Sequence, residues 1–204
     1  MKTAELKSTR TYKMRARAES TSKTRERILD AVIDLSRERL SLEIVLDDVA
    51  ERAGVSVQTM LRHFGSRQCL FEAAMTRRLA QVRAARVTPV GDAESAVRTI
   101  VEFYDRLGEG EWLLRLQAQE HSDELSRETM ELGRRVHRDW VQEVFAPQLA
   151  GRHDREELVD LLVVATDVLT WKILRRDGGM DRSTTCKRML RLVRAILPAP
   201  SERS

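Results

Sequence analysis

The sequence predicts an all-α protein, with a small three-helix head at the N-terminal side and a larger helical domain behind it. Three observations carry this. Apolar residues recur at helical spacing along nearly the whole chain. The 204 residues hold only nine Gly and four Pro, and aromatics are 4%, whereas sheet proteins use more turn formers and more aromatic and β-branched side chains. A fully spaced helix-turn-helix pattern lies between Asp47 and Phe64.

The elements follow in order. Residues 1–23 hold seven Lys and Arg, two Glu and many Ser and Thr without apolar periodicity, and they read as a basic arm without regular structure. Ile28, Ala31, Val32 and Leu35 make one apolar face of a helix over about 24–39. Two short helices, about 47–53 and 57–64, form the motif. A fourth begins near Arg67, with Leu70, Phe71, Ala74, Met75, Leu79 and Val82 along one side. The run Val87-Thr88-Pro89-Val90-Gly91-Asp92 interrupts it, so the head is set at 24–88 and the second domain at 89–204. That domain reads as five helices, about 93–107, 111–120, 124–149, 155–176 and 182–197, for about nine in total. The breaks between them carry Gly or capping residues.

Charge is unevenly placed. Residues 1–88 carry 18 Lys and Arg against 11 Asp and Glu, and the remainder 18 against 21. A positive half of this kind fits a polyanion. Cys69 and Cys186 match no metal spacing or disulfide framework, which indicates a reducing cytoplasm. Leu158–Leu174 is the most apolar stretch but is broken by Asp160, Asp167 and Lys172, so no membrane span is expected.

The motif reads DDVAERAGVSVQTMLRHF. Ala50 is small where the second helix passes. Gly54, four residues on, supplies the positive φ of the turn. Val49, Ala53, Val55 and Met60 close the small core, and Ser56 is an N-cap. With Met60 and Phe64 inward, Val57, Gln58, Leu61 and Arg62 face out. Gln58 suits adenine, Arg62 suits guanine or a phosphate, and Val57 and Thr59 suit a thymine methyl. His63 suits a phosphate, as does Arg67, which lies beside a helix N-terminus. The candidate DNA contacts are therefore Ser56, Val57, Gln58, Thr59, Leu61, Arg62, His63 and Arg67, with Lys23 and Arg25 from the arm side.

Residues 24–75 resemble the DNA-binding domain of the TetR family of transcriptional regulators, through Ile28, Ala31, Leu35, Asp48, Val49, Ala50, Ala53, Gly54, Val55, Ser56, Thr59, Arg62, His63, Phe64, Ser66, Arg67 and Leu70. The resemblance implies a homodimer on a palindromic operator and release when a small-molecule effector binds the second domain. The sequence departs from the family pattern in four places. Arg67 replaces a lysine, Leu61 a tyrosine and Val45 a capping threonine, and Leu40-Ser41-Leu42 replaces a Gly-aromatic turn.

The helix over 155–176 is apolar on more than one face, more than a single packing layer can cover. With the last helix it is expected to form a dimer interface through Leu162, Leu169, Met189, Val193 and Ile196. Phe103, Tyr104, Trp112, Leu116, Met130, His137 and Trp140 are candidates to line an effector pocket that favours a flat, apolar molecule. No Glu-x-x-His pair, Gly-x-Ser-x-Gly elbow or glycine-rich phosphate loop occurs. The expectation is no enzyme, no cofactor and no metal.

Overall fold

The structure, a computed structural model, describes residues 2–39, 43–106, 109–121 and 124–197. Among these every regular element is helical. The chain divides into two compact units, Met1–Gln81 and Val82–Ser204, each with its own core.

The first unit holds α1 (Lys2–Glu38), α2 (Leu46–Ala53), α3 (Val57–Phe64) and most of α4 (Arg67–Ala85). Ile28, Leu35, Ile44, Val49, Met60 and Leu70 are the largest fully buried members of its apolar core. Arg78 of α4 is also buried, and two ion pairs lie at the partly exposed rim. There Arg77 grips Asp30 with two bonds of 2.8 and 3.0 Å and Arg52 grips Glu38 at 2.8 Å.

The basic arm expected at 1–23 is not a separate irregular segment. From Lys2 onward it is the beginning of α1. Nothing local stops the helix, since no Gly or Pro precedes Gly54 and Lys, Arg, Glu, Ala and Met abound. The Glu19–Lys23 ion pair at 2.9 Å adds i,i+4 support. Leu40-Ser41-Leu42 lies outside the described residues.

The second unit holds α5 (Ala93–Asp105), α6 (Glu109–Gln119), α7 (Glu124–Val144), α8 (Ala146–Leu149), α9 (Arg155–Ala165), α10 (Val168–Lys172), a π-helical turn (Ile173–Asp177) and α11 (Arg182–Ile196). The helix expected over 124–149 is split because Pro147 has no N–H to donate and its ring crowds the preceding turn. The helix expected over 155–176 is split at Thr166-Asp167. Thr166 turns its hydroxyl back onto the Leu162 carbonyl at 2.7 Å, and Asp167 caps a new helix by accepting from the Leu169 N–H at 2.8 Å. The core centres on Ile100, Val141, Phe145, Leu149, Val159, Leu162, Trp171, Met189 and Val193.

Asp105 ties the end of this unit together. It accepts from Trp171 Nε1 at 3.0 Å, Arg175 Nε at 3.2 Å and Arg182 Nε at 2.9 Å. Three donors on one buried carboxylate hold it below the ordinary aspartate range against the opposing effect of burial.

Candidate nucleic-acid interface

The α2–α3 turn is built as its residue types require. Gly54 caps α2 in the left-handed conformation, φ 63° and ψ 43°. Its N–H and that of Val55 close onto the Ala50 and Glu51 carbonyls, Val55 to Ala50 at 3.0 Å. Ser56 then opens α3. Its Oγ accepts from the Thr59 N–H at 3.1 Å and donates to Thr59 Oγ1 at 3.0 Å. Val45 precedes α2 with no side-chain cap, and Asp47 and Asp48 place negative charge in that helix's first turn instead.

The faces of α3 follow from burial. Met60 and Phe64 are sealed inside, while Gln58, Leu61 and Arg62 are exposed on one side. Leu61 is 36% exposed, an apolar side chain at the centre of the outward face. Val57, Thr59 and His63 are half-buried at its edges. The outward position expected for Val57 is therefore corrected, because it packs partly against the unit's core.

Two arginines expected at phosphates also have work inside the protein. Arg25 Nη1 donates to the His63 carbonyl at 3.2 Å, and its guanidinium lies 4.3 Å from the centroid of the Phe64 ring. That closes the C-terminal end of α3 with a cation, the favourable sign there. Arg67 stacks on Phe71 at 4.3 Å and donates from Nη2 to the Ile44 carbonyl at 3.2 Å. Both residues remain exposed, as does Lys23.

The head thus presents a capped helix, supported from behind by a dry core, with a polar, basic and apolar side chain on its free face. These dimensions suit a major groove. Residues 44–74 match the family model described as bacterial regulatory proteins, tetR family. The match spans the helix-turn-helix of the head and its flanks, from Ile44 to Ala74.

Solved structures of TetR-like regulators share the fold. A transcriptional regulator from Rhodococcus sp. Rha1 is 20% identical, with 85% of this chain and 95% of that one covered and a TM-score of 0.61. A second Rhodococcus protein, described as a TetR-family transcriptional regulator, is 23% identical over 86% and 99% of the two chains, with a TM-score of 0.62. A tetR-family regulator from Streptomyces coelicolor is 17% identical over 84% and 80%, with a TM-score of 0.57. No curated protein matches the chain.

In the second unit, some of the residues expected to line a pocket meet around one side chain. Phe103, Tyr104, Trp112, Met130, His137 and Trp140 are buried, and Leu116 is half-buried. Four of them surround Arg86, which the sequence reading placed at the end of the fourth helix and did not single out. The guanidinium lies 4.2 Å from the Phe103 ring centroid and 5.8 Å from that of Tyr104. Arg86 Nη1 is 3.4 Å from His137 Nδ1, and His137 Nε2 is 3.1 Å from Thr166 Oγ1. Arginine only donates, so Nδ1 is the acceptor and Nε2 carries the proton. The Thr166 hydroxyl donates in turn to Leu162 O at 2.7 Å. Trp140 donates to the Arg86 carbonyl at 2.9 Å and stacks on His137, and Tyr104 donates to Thr166 O at 3.1 Å. Burial, and then the Arg86 charge, depress the His137 imidazole to about 3, so it is neutral at ordinary pH.

The dimer residues are corrected in part. Leu162, Met189 and Val193 are fully buried in their own unit and present no surface, and Ile196 is half-buried. Leu169 is exposed, and with it Leu161, Val164, Ile173 and Leu192, between 44% and 64% each. The expected helix is interrupted at Thr166, which resets the phase of the residues beyond it.

No group of three or more His, Cys, Asp or Glu side chains among the described residues is placed to hold a metal ion. No helix among them is long and apolar enough to cross a membrane.

Proposed function

We propose that the protein is a homodimeric repressor that binds a palindromic operator and releases it when a small-molecule effector occupies the second unit. The observation that carries this reading is the free face of α3, where Gln58, Leu61 and Arg62 stand exposed on a helix held rigidly by Ser56, Gly54 and Arg25. Gln58 and Arg62 are the base readers, Leu61 and Val57 supply methyl contacts, and Ser56, Thr59, His63, Arg67, Lys23 and Arg25 meet the backbone.

Dimerisation is supported by the stripe Leu161, Val164, Leu169, Ile173 and Leu192, apolar surface that a second copy would cover. Beside it α9 exposes Glu157 and Asp160, and α11 exposes Lys187, Arg188 and Arg191. Placing α9 against the partner's α11 pairs opposite charges at both ends of a two-fold interface. Two heads are what a palindrome requires.

The effector reading rests on the cluster at Arg86. A ligand entering there must replace the bonds it breaks, so it carries a hydrogen-bond acceptor for Arg86 alongside an apolar body for Phe103 and Trp140. α4 runs unbroken from Arg67 to Ala85, immediately before Arg86. A ligand that binds two settings of this helix end with different affinity shifts the population that reads DNA. A regulator of this kind works beside the chromosome, in the cytoplasm.

The test is fluorescence anisotropy on the duplex upstream of the protein's own gene against a scrambled duplex. Wild type is expected to prefer the former with two protomers per site. Arg62→Ala is expected to lose roughly 1–3 kcal/mol on it and to relax specificity at one position. Equal binding to both duplexes refutes the reading.

A further inference from the structure

The inward face of α7 has a gap in it. Ser126, Met130, Val136, His137 and Trp140 are all buried. Gly133 follows Ser126 by seven residues and Met130 by three, and it precedes Val136, His137 and Trp140 by three, four and seven. These are the spacings of one helix face, so Gly133 lies in the middle of the side that α7 turns inward. It is nonetheless partly exposed. A Cβ built there would meet no atom of the described residues within 4 Å. Gly110 on α6 is the contrary case, because a Cβ there would enter the Trp171 ring.

Glycine is a poor residue for the interior of a helix, and no close neighbour among the described residues requires it at 133. What it supplies is room. Protein interiors hold few voids larger than a water molecule, so room on an inward face calls for an occupant. The next helix carries a group that such an occupant would meet. α6 packs on α7. Glu120, just past the end of α6, holds Arg134, the residue after Gly133, at 2.7 Å. Gln117 lies one turn before Glu120 on the same side of α6. Its Oε1 is buried and accepts no hydrogen bond among the described residues. A buried carbonyl oxygen in that state costs free energy until a donor reaches it.

We propose that the gap at Gly133 seats a small aromatic molecule whose hydroxyl or N–H donates to Gln117 Oε1. The proposal rests on the effector reading above and names the seat and the chemical class within it. The class follows from the lining. Met130 and Val136 offer apolar surface, and the Met130 thioether favours a ring. Trp140, stacked on His137, extends that aromatic surface toward Arg86. Gln117 Oε1 only accepts, so it selects a donor and gives nothing to a carboxylate.

The experiment measures binding of 2-naphthol to the full-length protein by equilibrium dialysis, with naphthalene as the same ring without the donor. Wild type is expected to favour 2-naphthol by about tenfold or more. Gly133→Leu fills the gap. It is expected to melt at or above wild type, because Leu is the better helix residue and displaces nothing. It is also expected to lose about tenfold or more in 2-naphthol affinity. Gln117→Leu is expected to bring 2-naphthol down to the naphthalene level and to leave naphthalene unchanged. A Gly133→Leu chain that melts below wild type overturns the proposal, since the protein itself then fills the space. Unchanged 2-naphthol affinity in that variant overturns it too, as does no binding to wild type. Should the Leu variant fail to fold, Gly133→Ala decides: a raised melt upholds the gap and a lowered one refutes it. If 2-naphthol binds at Gly133 yet leaves affinity for the upstream duplex unchanged, the effector reading fails while the seat stands.

Discussion

Changing His137 to Gln should flatten the acid limb of the protein's stability by an amount that follows from the structure. The imidazole is buried between Arg86 and Thr166, donates from Nε2, accepts at Nδ1 and stays neutral down to about pH 3. In the unfolded chain the same group titrates near 6.5. Above that value neither state binds the proton and His137 contributes nothing to the pH dependence. Below it the unfolded state takes up a proton that the native state refuses, so stability falls as pH falls. At pH 5.0 the gap of about 1.5 pH units from 6.5 is worth about 2 kcal/mol, at 1.36 kcal/mol per unit. The magnitude is set by the unfolded imidazole, because the folded group is still neutral at that pH. Gln keeps a donor and an acceptor at the site and does not titrate.

The assay is urea unfolding at pH 7.5 and pH 5.0, followed by tryptophan fluorescence. Trp112, Trp140 and Trp171 all belong to the second unit, so the signal reports that unit's stability. Carboxylates contribute equally to both proteins and cancel in the comparison. Wild type is expected to lose about 2 kcal/mol more than the variant between the two pH values. Parallel losses would refute the assignment of His137 as a buried neutral group in a relay.

Three further outcomes are expected. Gly54→Ala places a Cβ on a residue at φ 63°, costs about 1–2 kcal/mol, and should lower both the unfolding midpoint of the first unit and DNA affinity. Gly110→Ala builds a Cβ into the Trp171 ring, well inside van der Waals contact; a loss of roughly 1–3 kcal/mol with a changed tryptophan emission is expected, and an unperturbed melt would refute the packing. Leu161→Asp with Val164→Asp charges exposed positions only, so sedimentation should show monomer with the helical signal intact, and a persisting dimer would place the interface elsewhere.

The head was legible because its constraints are local. A turn of fixed length needs Gly54 at a positive φ, a small residue at Ala50 and a cap at Ser56, and each demand names a residue type. The second unit was less so. Leu161 and Leu162 are equally apolar in sequence, yet one helical step of 100° puts the first outside and the second at 0% exposure. No single-sequence pattern tells the two apolar faces of such a helix apart, and the break at Thr166 shifts the phase of everything after it. Arg86, His137 and Thr166 are 51 and 29 residues apart in sequence, so their relay has no local signature. The N-terminal segment was misread for the opposite reason. Low apolar content says that a segment buries little, not that it forms no helix; with no Gly or Pro ahead of Gly54, helix is compatible with that composition.

The two units handle buried polarity differently, and the contrast bears on function. The first buries the single guanidinium of Arg78 among the described residues, and its Arg77–Asp30 and Arg52–Glu38 pairs are partly exposed and screened by solvent. Its stability comes from a hydrocarbon core. The second buries Arg86, His137 and Thr166 together. Taking such groups out of water costs several kcal/mol, which their mutual bonds at best offset, and apolar residues of the same volume would serve stability as well. The network does give direction: it runs from Arg86 through His137 and Thr166 to the Leu162 carbonyl, its shortest bond. A directional set of bonds has a defined intact state and a defined broken one, whereas a purely apolar core yields gradually. That is the property a ligand needs if its arrival is to favour one arrangement over another, and under the proposed effector reading the response is expected around Arg86 rather than along the exposed stripe.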